Sequence, residues 1–284
     1  MKMGYENSAE KRIEIFEDTM RLCRENPRLA AAVKYSQENT KFYAADDYPE
    51  VNKDGKSGKV SVTAERTLQA AKRLTAEYAG KKIAVLNFAS ATNPGGGVTK
   101  GSSAQEEALC RCSTLYPCLR KKELFEQYYG MHRNLGDVRY TDACIYTPDV
   151  ISLKSDTNLP EAVPESEWFS VDVITCAAPN LRPNPYNAMN PGHGKAAKVT
   201  PAELLAIHKK RGAHILDIAA ANGADVLVLG AFGCGAFQND PQIVARAYKE
   251  ILADKAKMFD EVAFAVYCPP KDMGNYNTFK RILL

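Results

Sequence analysis

The chain has 284 residues, 45% hydrophobic, 25% charged and 9% aromatic, ordinary globular usage that excludes disordered, collagen-like and coiled-coil classes. Lys and Arg number 37 against 34 Asp and Glu, and this net charge of +3 is too weak for a protein that lives on duplex nucleic-acid electrostatics, though it admits a small anion held in one pocket. No apolar run approaches the roughly 20 residues of a spanning helix, and the opening MKMGYENSAEKRIEIF lacks the apolar core and cleavage site of a signal peptide.

In chain order, residues 8–24 read as an amphipathic helix with Ile13, Ile15, Phe16, Met20, Leu22 and Cys23 as its apolar positions. A polar stretch follows, with a clear loop at 46–58. Residues 59–63 suggest a strand, 65–79 a helix closed by Gly80, and 81–89 a strand with a continuous apolar middle. A Gly-rich loop at 90–101 leads into a helix from about 103, with a second helical stretch near 120–129. The chain then turns β-like at 143–153 and 170–178, with no helix between. Residues 179–199 are rich in Pro, Asn and Gly and read as a long loop, a candidate cover for a cleft. Thr200-Pro201-Ala202-Glu203 is a capping box with Pro at the first helical position, and its helix runs to Gly223. A strand at 225–230, a loop, a helix from Pro241 capped by Asp240, and a last strand at 261–268 complete the chain.

Apolar-centred strands separated by helices predict an α/β sandwich with a largely parallel sheet, mixed because of the helix-free 143–178 segment. No linker or internal repeat divides it. We expect one domain over 1–284, with 1–58 as an N-terminal helical elaboration of a core at 59–284. The scattered cysteines, several inside apolar runs, fit a reducing cytoplasm rather than a disulfide framework. Cys110, Cys112 and Cys118 have the spacing C-x-C-x5-C, not a common zinc spacing, with His132 the nearest histidine, so they read as buried thiols on a helix.

Parallel α/β sheets bind ligands where strand C-termini meet helix N-termini. Two Gly-dense loops occupy such places. The first carries Asn93-Pro94-Gly95-Gly96-Gly97, where three glycines permit positive φ and close backbone approach. The second, Gly230 to Asp240, leaves a strand and enters a helix. Its small residues at 233–236 free successive N–H groups for an anion nest. It has neither the G-K-[ST] of a Walker loop nor the order G-x-G-x-x-G, so the expected ligand is a phosphate or diphosphate cradled by main chain. Between the first loop and its helix stand Gln105, Glu106 and Glu107. Ser103 and Glu106 have capping-box spacing, which accounts for Glu106 without any function. Residues adjacent on a helix diverge by roughly 100°, so one Glu can cap while the other faces a ligand.

These residues resemble a known family. Gly95-Gly96-Gly97, seven residues, then Gln105-Glu106-Glu107 is similar to the GGG-x6–8-QEE signature of poly(ADP-ribose) glycohydrolases. LNFASATNPGGGV, ALCRCSTLY, IYTPDV, VDVITCAAPN and VLGAFGCGAFQNDPQIVA resemble its microbial type, in ordered blocks over about 60–268. The resemblance implies a macrodomain-like three-layer sandwich, with a mixed sheet flanked by helices and ADP-ribose in a cleft at the strand ends. It implies hydrolysis of the ribose–ribose O-glycosidic bond, with Glu107 as acid/base and Glu106 positioning ribose hydroxyls. Asn93 and the three glycines would hold the distal ribose, with Gln105 also a substrate-binding candidate. Gly233, Cys234, Gly235, Ala236 and Phe237 would wrap the diphosphate, with Phe237 on the distal ribose.

Tyr267, Tyr276 and Phe279 are candidates to stack on adenine. No Asp/His cluster stands near the loops, so neither a metal nor a cofactor is expected. His193 reads as a solvated loop residue. His208 and His214, six apart, receive no role, and Arg120, Lys121 and Lys122 read as a solvated face. Expected partners are ADP-ribose or its polymer on modified proteins, not duplex nucleic acid or membrane, with the chain a monomer. Two other readings stay open: a non-catalytic ADP-ribose-binding module, and a hydrolase of another ADP-ribosyl linkage.

Overall fold

The computed structural model describes residues 2–51, 55–187 and 190–284, and side chains from Ser8 onward. Parts of the loops expected at 46–58 and 179–199 therefore lie outside the described residues.

The N-terminal segment is more ordered than its polar composition suggests. Helix α1 (Lys2–Glu25) is followed by α2 (Pro27–Asn39), then by β1 (Lys41–Tyr43). The pattern 27–39 was expected to be a polar stretch, yet it starts with a helix signal. Asn26 caps it by accepting from the N–H groups of Arg28 and Leu29, and Pro27 opens it. Its few apolar residues suffice because only one narrow stripe is covered: Leu29 packs on Ile151 and Leu153.

The remaining elements follow the expected alternation. They are β2 (Lys59–Thr63), α3 (Thr67–Glu77), β3 (Ile83–Phe88), α4 (Gln105–Cys112), α5 (Leu115–Leu119) and α6 (Lys122–Leu124). After a π-helical turn at Phe125–Gly130 come α7 (Met131–Leu135), β4 (Cys144–Ser152), β5 (Phe169–Cys176) and α8 (Pro201–Ala221). The chain ends with β6 (Val226–Leu229), α9 (Pro241–Lys255), β7 (Glu261–Ala265) and α10 (Gly274–Leu283). Thr200 and Glu203 form the expected reciprocal box, and Asp240 accepts from the Gln242 N–H. Helix α10 was not anticipated.

Among the described residues seven strands form one sheet in the order β1-β4-β5-β3-β6-β7-β2. The run from β5 to β2 is parallel, while β4 is antiparallel to β5 and β1 to β4, so the sheet is mixed as expected. Pro148 is tolerated inside β4 because a register shift lies between Thr147 and Val150, with Asp149 at φ 52°. Strand alternation divides the core. Ile83 and Val85 face α3, α4 and α5, whereas Ala84 and Leu86 face α8 and α9. Helices on both faces bury the central parallel strand β3 almost throughout, which is why it reads as a continuous apolar run. Helix α1 braces the first of these layers: Phe16 meets Tyr116 edge to face at 4.8 Å, and Thr19 Oγ1 donates to Arg111 O at 2.6 Å. Among the described residues no helix is long and apolar enough to cross a membrane.

Candidate functional site

Strands β3 and β6 are parallel neighbours, so the loops that follow them leave the same edge of the sheet side by side. The β3 connection runs to α4 on one face, and the β6 connection to α9 on the other. Connections that diverge in this way open a crevice at the carboxyl ends of the strands. Both Gly-dense loops border it.

In the first loop the three glycines wrap the carboxylates. The Glu106 carboxylate accepts from the N–H of Ser90 (2.7 Å) and of Gly95 (3.2 Å), and from Asn87 Nδ2 at 3.4 Å. Glu107 Oε1 accepts from the Gly97 N–H at 2.8 Å, while its Oε2 is buried and finds no partner among the described residues. A Cβ at Gly96, which has φ +57°, would lie 2.5 Å from Glu107 Oε1 and 3.1 Å from Glu106 Oε2. The glycine therefore serves both conformation and space. Asn93 Nδ2 closes the loop onto Gly96 O.

This corrects one expectation. Ser103 and Glu106 form no capping box: the N-cap is Ala104, without a side-chain bond, and the Glu106 carboxylate turns away to the loop. The N–H groups of Gly95, Gly96 and Gly97 are also already spent, on Glu106, Asn93 O and Glu107. Burial, then the neighbouring Glu107 charge, pushes the Glu106 carboxyl well above the usual range, against the hydrogen bonds from Ser90, Asn87 and Gly95.

The second loop has the opposite character. Among the described residues, the main-chain N–H groups of Gly233, Gly235, Ala236 and Phe237 have no acceptor in the protein. That is the donor array an oxyanion needs. The Cys234 N–H is spent on Ala231 O at 3.0 Å and does not join it. The loop after β5 joins the two: Leu181 N–H donates to Phe237 O at 3.0 Å, and Asn190 Oδ1 accepts from Ser90 Oγ and Thr92 Oγ1. Phe237 is half-buried against Ala91, Tyr140 and Ala177, with the Arg182 guanidinium 5.6 Å from its ring. Of loop 179–199, Ala188 and Met189 lie outside the described residues.

Gln105 is committed elsewhere. Its amide accepts from the Phe88 N–H (2.9 Å) and donates to Leu86 O (2.8 Å) and Thr67 Oγ1 (3.0 Å), so it moors α4 to the end of β3 and does not face a ligand. Phe279 is a core residue of α10 at 0% exposure, packed on Phe264, and is no adenine platform. Tyr276 is half-buried on the same helix, with Lys280 Nζ 5.6 Å from its ring. Tyr267 is exposed just beyond the carboxyl end of β7, the Arg66 guanidinium 3.9 Å from its ring. Cys110, Cys112 and Cys118 are buried free thiols on α4 and α5, and burial pushes each of them up. His193 is exposed, as expected. Arg120 and Lys122 are exposed, as expected, whereas Lys121 is partly buried with its Nζ held by Gln37 O.

Several residues of the site escaped the sequence. His208 and His214 are both buried, and each is hydrogen-bonded: His208 Nε2 to Asn239 Oδ1 at 2.8 Å, His214 to Asp142 O and Asp47 O. Between them on α8, buried Arg211 bonds Asp142 Oδ1, Ala177 O, Arg139 O and Tyr140 O. It thereby holds Tyr140 at φ 56°, a conformation non-glycine residues rarely adopt. The Tyr140 hydroxyl then accepts from Asn190 Nδ2 at 3.2 Å. A cleft of about 500 Å³ lies on the α8 side of Tyr140, lined by Asp137, Arg139, Asp142 and Lys210 among others, and contains neither glutamate. Among the described residues, no three His, Cys, Asp or Glu side chains gather as metal ligands.

A family model described as microbial-type PARG, catalytic domain, matches residues 9–155. The fold is similar to that of poly(ADP-ribose) glycohydrolase from Thermomonospora curvata, at TM-score 0.83 and 33% identity over 96% of this chain and 99% of that one. A structure of that enzyme bound to the inhibitor ADP-HPD aligns at TM-score 0.80 and 31% identity, with the same shares covered. The Deinococcus radiodurans enzyme in complex with ADP-ribose aligns at TM-score 0.73 and 34% identity, over 88% of this chain and 96% of that one. No curated protein matches the chain.

Proposed function

The chain belongs to the microbial-type poly(ADP-ribose) glycohydrolase family, and from that premise we propose how its residues hydrolyse the ribose–ribose linkage of poly(ADP-ribose). The observation that carries the reading is Glu107: one carboxylate oxygen pinned by Gly97 N–H, the other buried and unpartnered beside the crevice. A buried carboxyl oxygen without a partner is costly unless a ligand completes it.

In the proposed mechanism the protonated Glu107 carboxyl gives its proton to the bridging oxygen as the bond from the anomeric carbon to that oxygen breaks. The chain leaves with a free ribose hydroxyl, and an oxocarbenium-like ribose remains. Glu107, now a carboxylate, takes a proton from water whose oxygen bonds to the anomeric carbon. ADP-ribose is released and the acid restored, so one water is consumed. The substrate diphosphate supplies part of the negative charge that the cationic centre needs. Glu106 holds the Ser90 and Gly95 N–H groups in place beneath the scissile ribose, and Asn93 and the glycines form the wall against which that ribose rests.

The free amides of Gly233, Gly235, Ala236 and Phe237 receive the diphosphate, Phe237 flanks the distal ribose, and Tyr267 stacks on adenine. The partners are ADP-ribose polymers on modified proteins. We read residues 1–284 as one catalytic unit, monomeric and cytoplasmic.

The test is release of ADP-ribose from defined polymer, alongside calorimetric titration with ADP-ribose. Turnover with binding supports the proposal. Binding without cleavage of any linkage offered would make the chain a reader, and no heat at all would remove the reading.

A further inference from the structure

Asn239 follows the arc of free amides and is itself 2% exposed. Its Nδ2 donates to Pro179 O at 2.7 Å, Gly233 O at 3.1 Å and Phe237 O at 3.2 Å. One side-chain amide thus gathers the start of the arc, its end, and the exit of β5. Asn239 N–H adds a bond to Gly233 O at 3.0 Å. The clasp leaves no room beside it: a Cβ at Gly233, whose φ is +80°, would stand 2.8 Å from Asn239 Nδ2 and 2.6 Å from Ala178 Cβ.

Because the NH2 group faces carbonyls, Oδ1 faces α8 and must accept. Its partner is His208 Nε2 at 2.8 Å, which fixes the proton of that ring on Nε2. Burial pushes His208 down to about 4, so the ring is neutral at pH 7. Phe232 meets it edge-on at 5.9 Å and holds its plane. No local pattern marks this pair, since His208, on α8, lies 31 residues from Asn239.

We propose that His208 and Asn239 are a positioning pair: His208 orients the Asn239 amide, which clasps the 233–237 arc in the shape that binds the diphosphate of the ADP-ribosyl group. Neither residue touches substrate. The inference rests on the assignment of that arc to the diphosphate. An ordered arc binds without a loop-ordering cost, so losing the clasp weakens binding while Glu107, on α4, keeps its place.

Full-length wild type, His208→Leu, His208→Gln and Asn239→Asp are compared for calorimetric Kd with ADP-ribose and for KM and kcat on polymer. His208→Leu removes the donor to Oδ1, and Asn239→Asp keeps size while removing both N–H donors. Each is expected to raise Kd and KM at least ten-fold and leave kcat within three-fold. His208→Gln, whose amide can still donate, stays within three-fold of wild-type Kd. A His208→Leu protein with wild-type Kd, or a His208→Gln protein as weak as the Leu variant, overturns the proposal. So does a fall in kcat at unchanged KM. If His208→Leu does not fold, Asn239→Asp decides alone, wild-type affinity being the contrary result. A wild type that binds no ADP-ribose would instead remove the functional reading on which the pair depends.

Discussion

Gly96→Ala probes the carboxylate cradle with a single carbon atom. At φ +57° an alanine carries left-handed strain of roughly 1–2 kcal/mol. Its Cβ would also stand 2.5 Å from Glu107 Oε1, where ordinary contact needs about 3.3 Å, so one of the two must give by about 0.8 Å. The loop is tethered independently of Glu107, Gly95 N–H by Glu106 and Gly96 N–H by Asn93 O. The Glu107 carboxylate, with one oxygen unpartnered, is the mobile party. A misplacement near 1 Å costs on the order of a hundred-fold in rate. We therefore expect kcat for ADP-ribose release to fall about a hundred-fold, and Tm to drop by a few degrees, about 2–4 °C for each kcal/mol in a chain of this size. Rapid-quench turnover and thermal unfolding measure the two. A Gly96→Ala enzyme with wild-type kcat would refute the claim that this glycine exists to admit the Glu107 carboxylate.

Gly235→Ala is the complementary test: an added Cβ meets nothing within 4 Å, so Tm should be unchanged while ADP-ribose affinity falls several-fold, and unchanged affinity in calorimetry would take Gly235 out of the diphosphate site. Tyr267→Ala should weaken ADP-ribose binding without loss of stability, whereas Phe279→Ala, a fully buried deletion, should cost about 3–5 kcal/mol in urea unfolding; the reverse pattern would exchange their roles. His132 and His208 are pushed by burial from 6.5 to about 4, so the unfolded chain takes up protons before the folded one. The stability each contributes is complete above pH 6.5 and is lost as pH falls to 4, up to roughly 3 kcal/mol per ring. Glu106, raised, acts in the opposite sense, destabilising as pH rises past the ordinary carboxylate range. Urea midpoints from pH 7 to 4 should fall less steeply in His208→Gln than in wild type, and identical slopes would contradict a neutral buried His208.

Periodic apolar strands, the two Gly-dense loops and the caps at Thr200 and Asp240 were legible because each is a local pattern with a local physical cause. Helix α2 was missed because a helix that buries little beyond Leu29 carries a weak apolar stripe, and its signals lay in Asn26 and Pro27 instead. The capping box offered by Ser103 and Glu106 does not form, because Ser-x-x-Glu spacing is blind to a Ser90 N–H sixteen residues away. Gln105 and Phe279 have the right residue types for binding, and only packing reveals that the strand end and the core have claimed them. Asn239, Arg211 and Tyr140 left no pattern at all, since their partners, main-chain carbonyls and side chains distant in the sequence, are brought to them by tertiary folding.

The most direct measurement is turnover of defined poly(ADP-ribose) by Glu107→Gln beside its calorimetric affinity for ADP-ribose. An amide fills the same space and accepts from Gly97 N–H, yet has no acidic proton to give the departing ribose. A loss of about a hundred- to ten-thousand-fold in kcat, with affinity kept, is the predicted result. Undiminished turnover by a variant that binds normally would contradict the assignment of the acid.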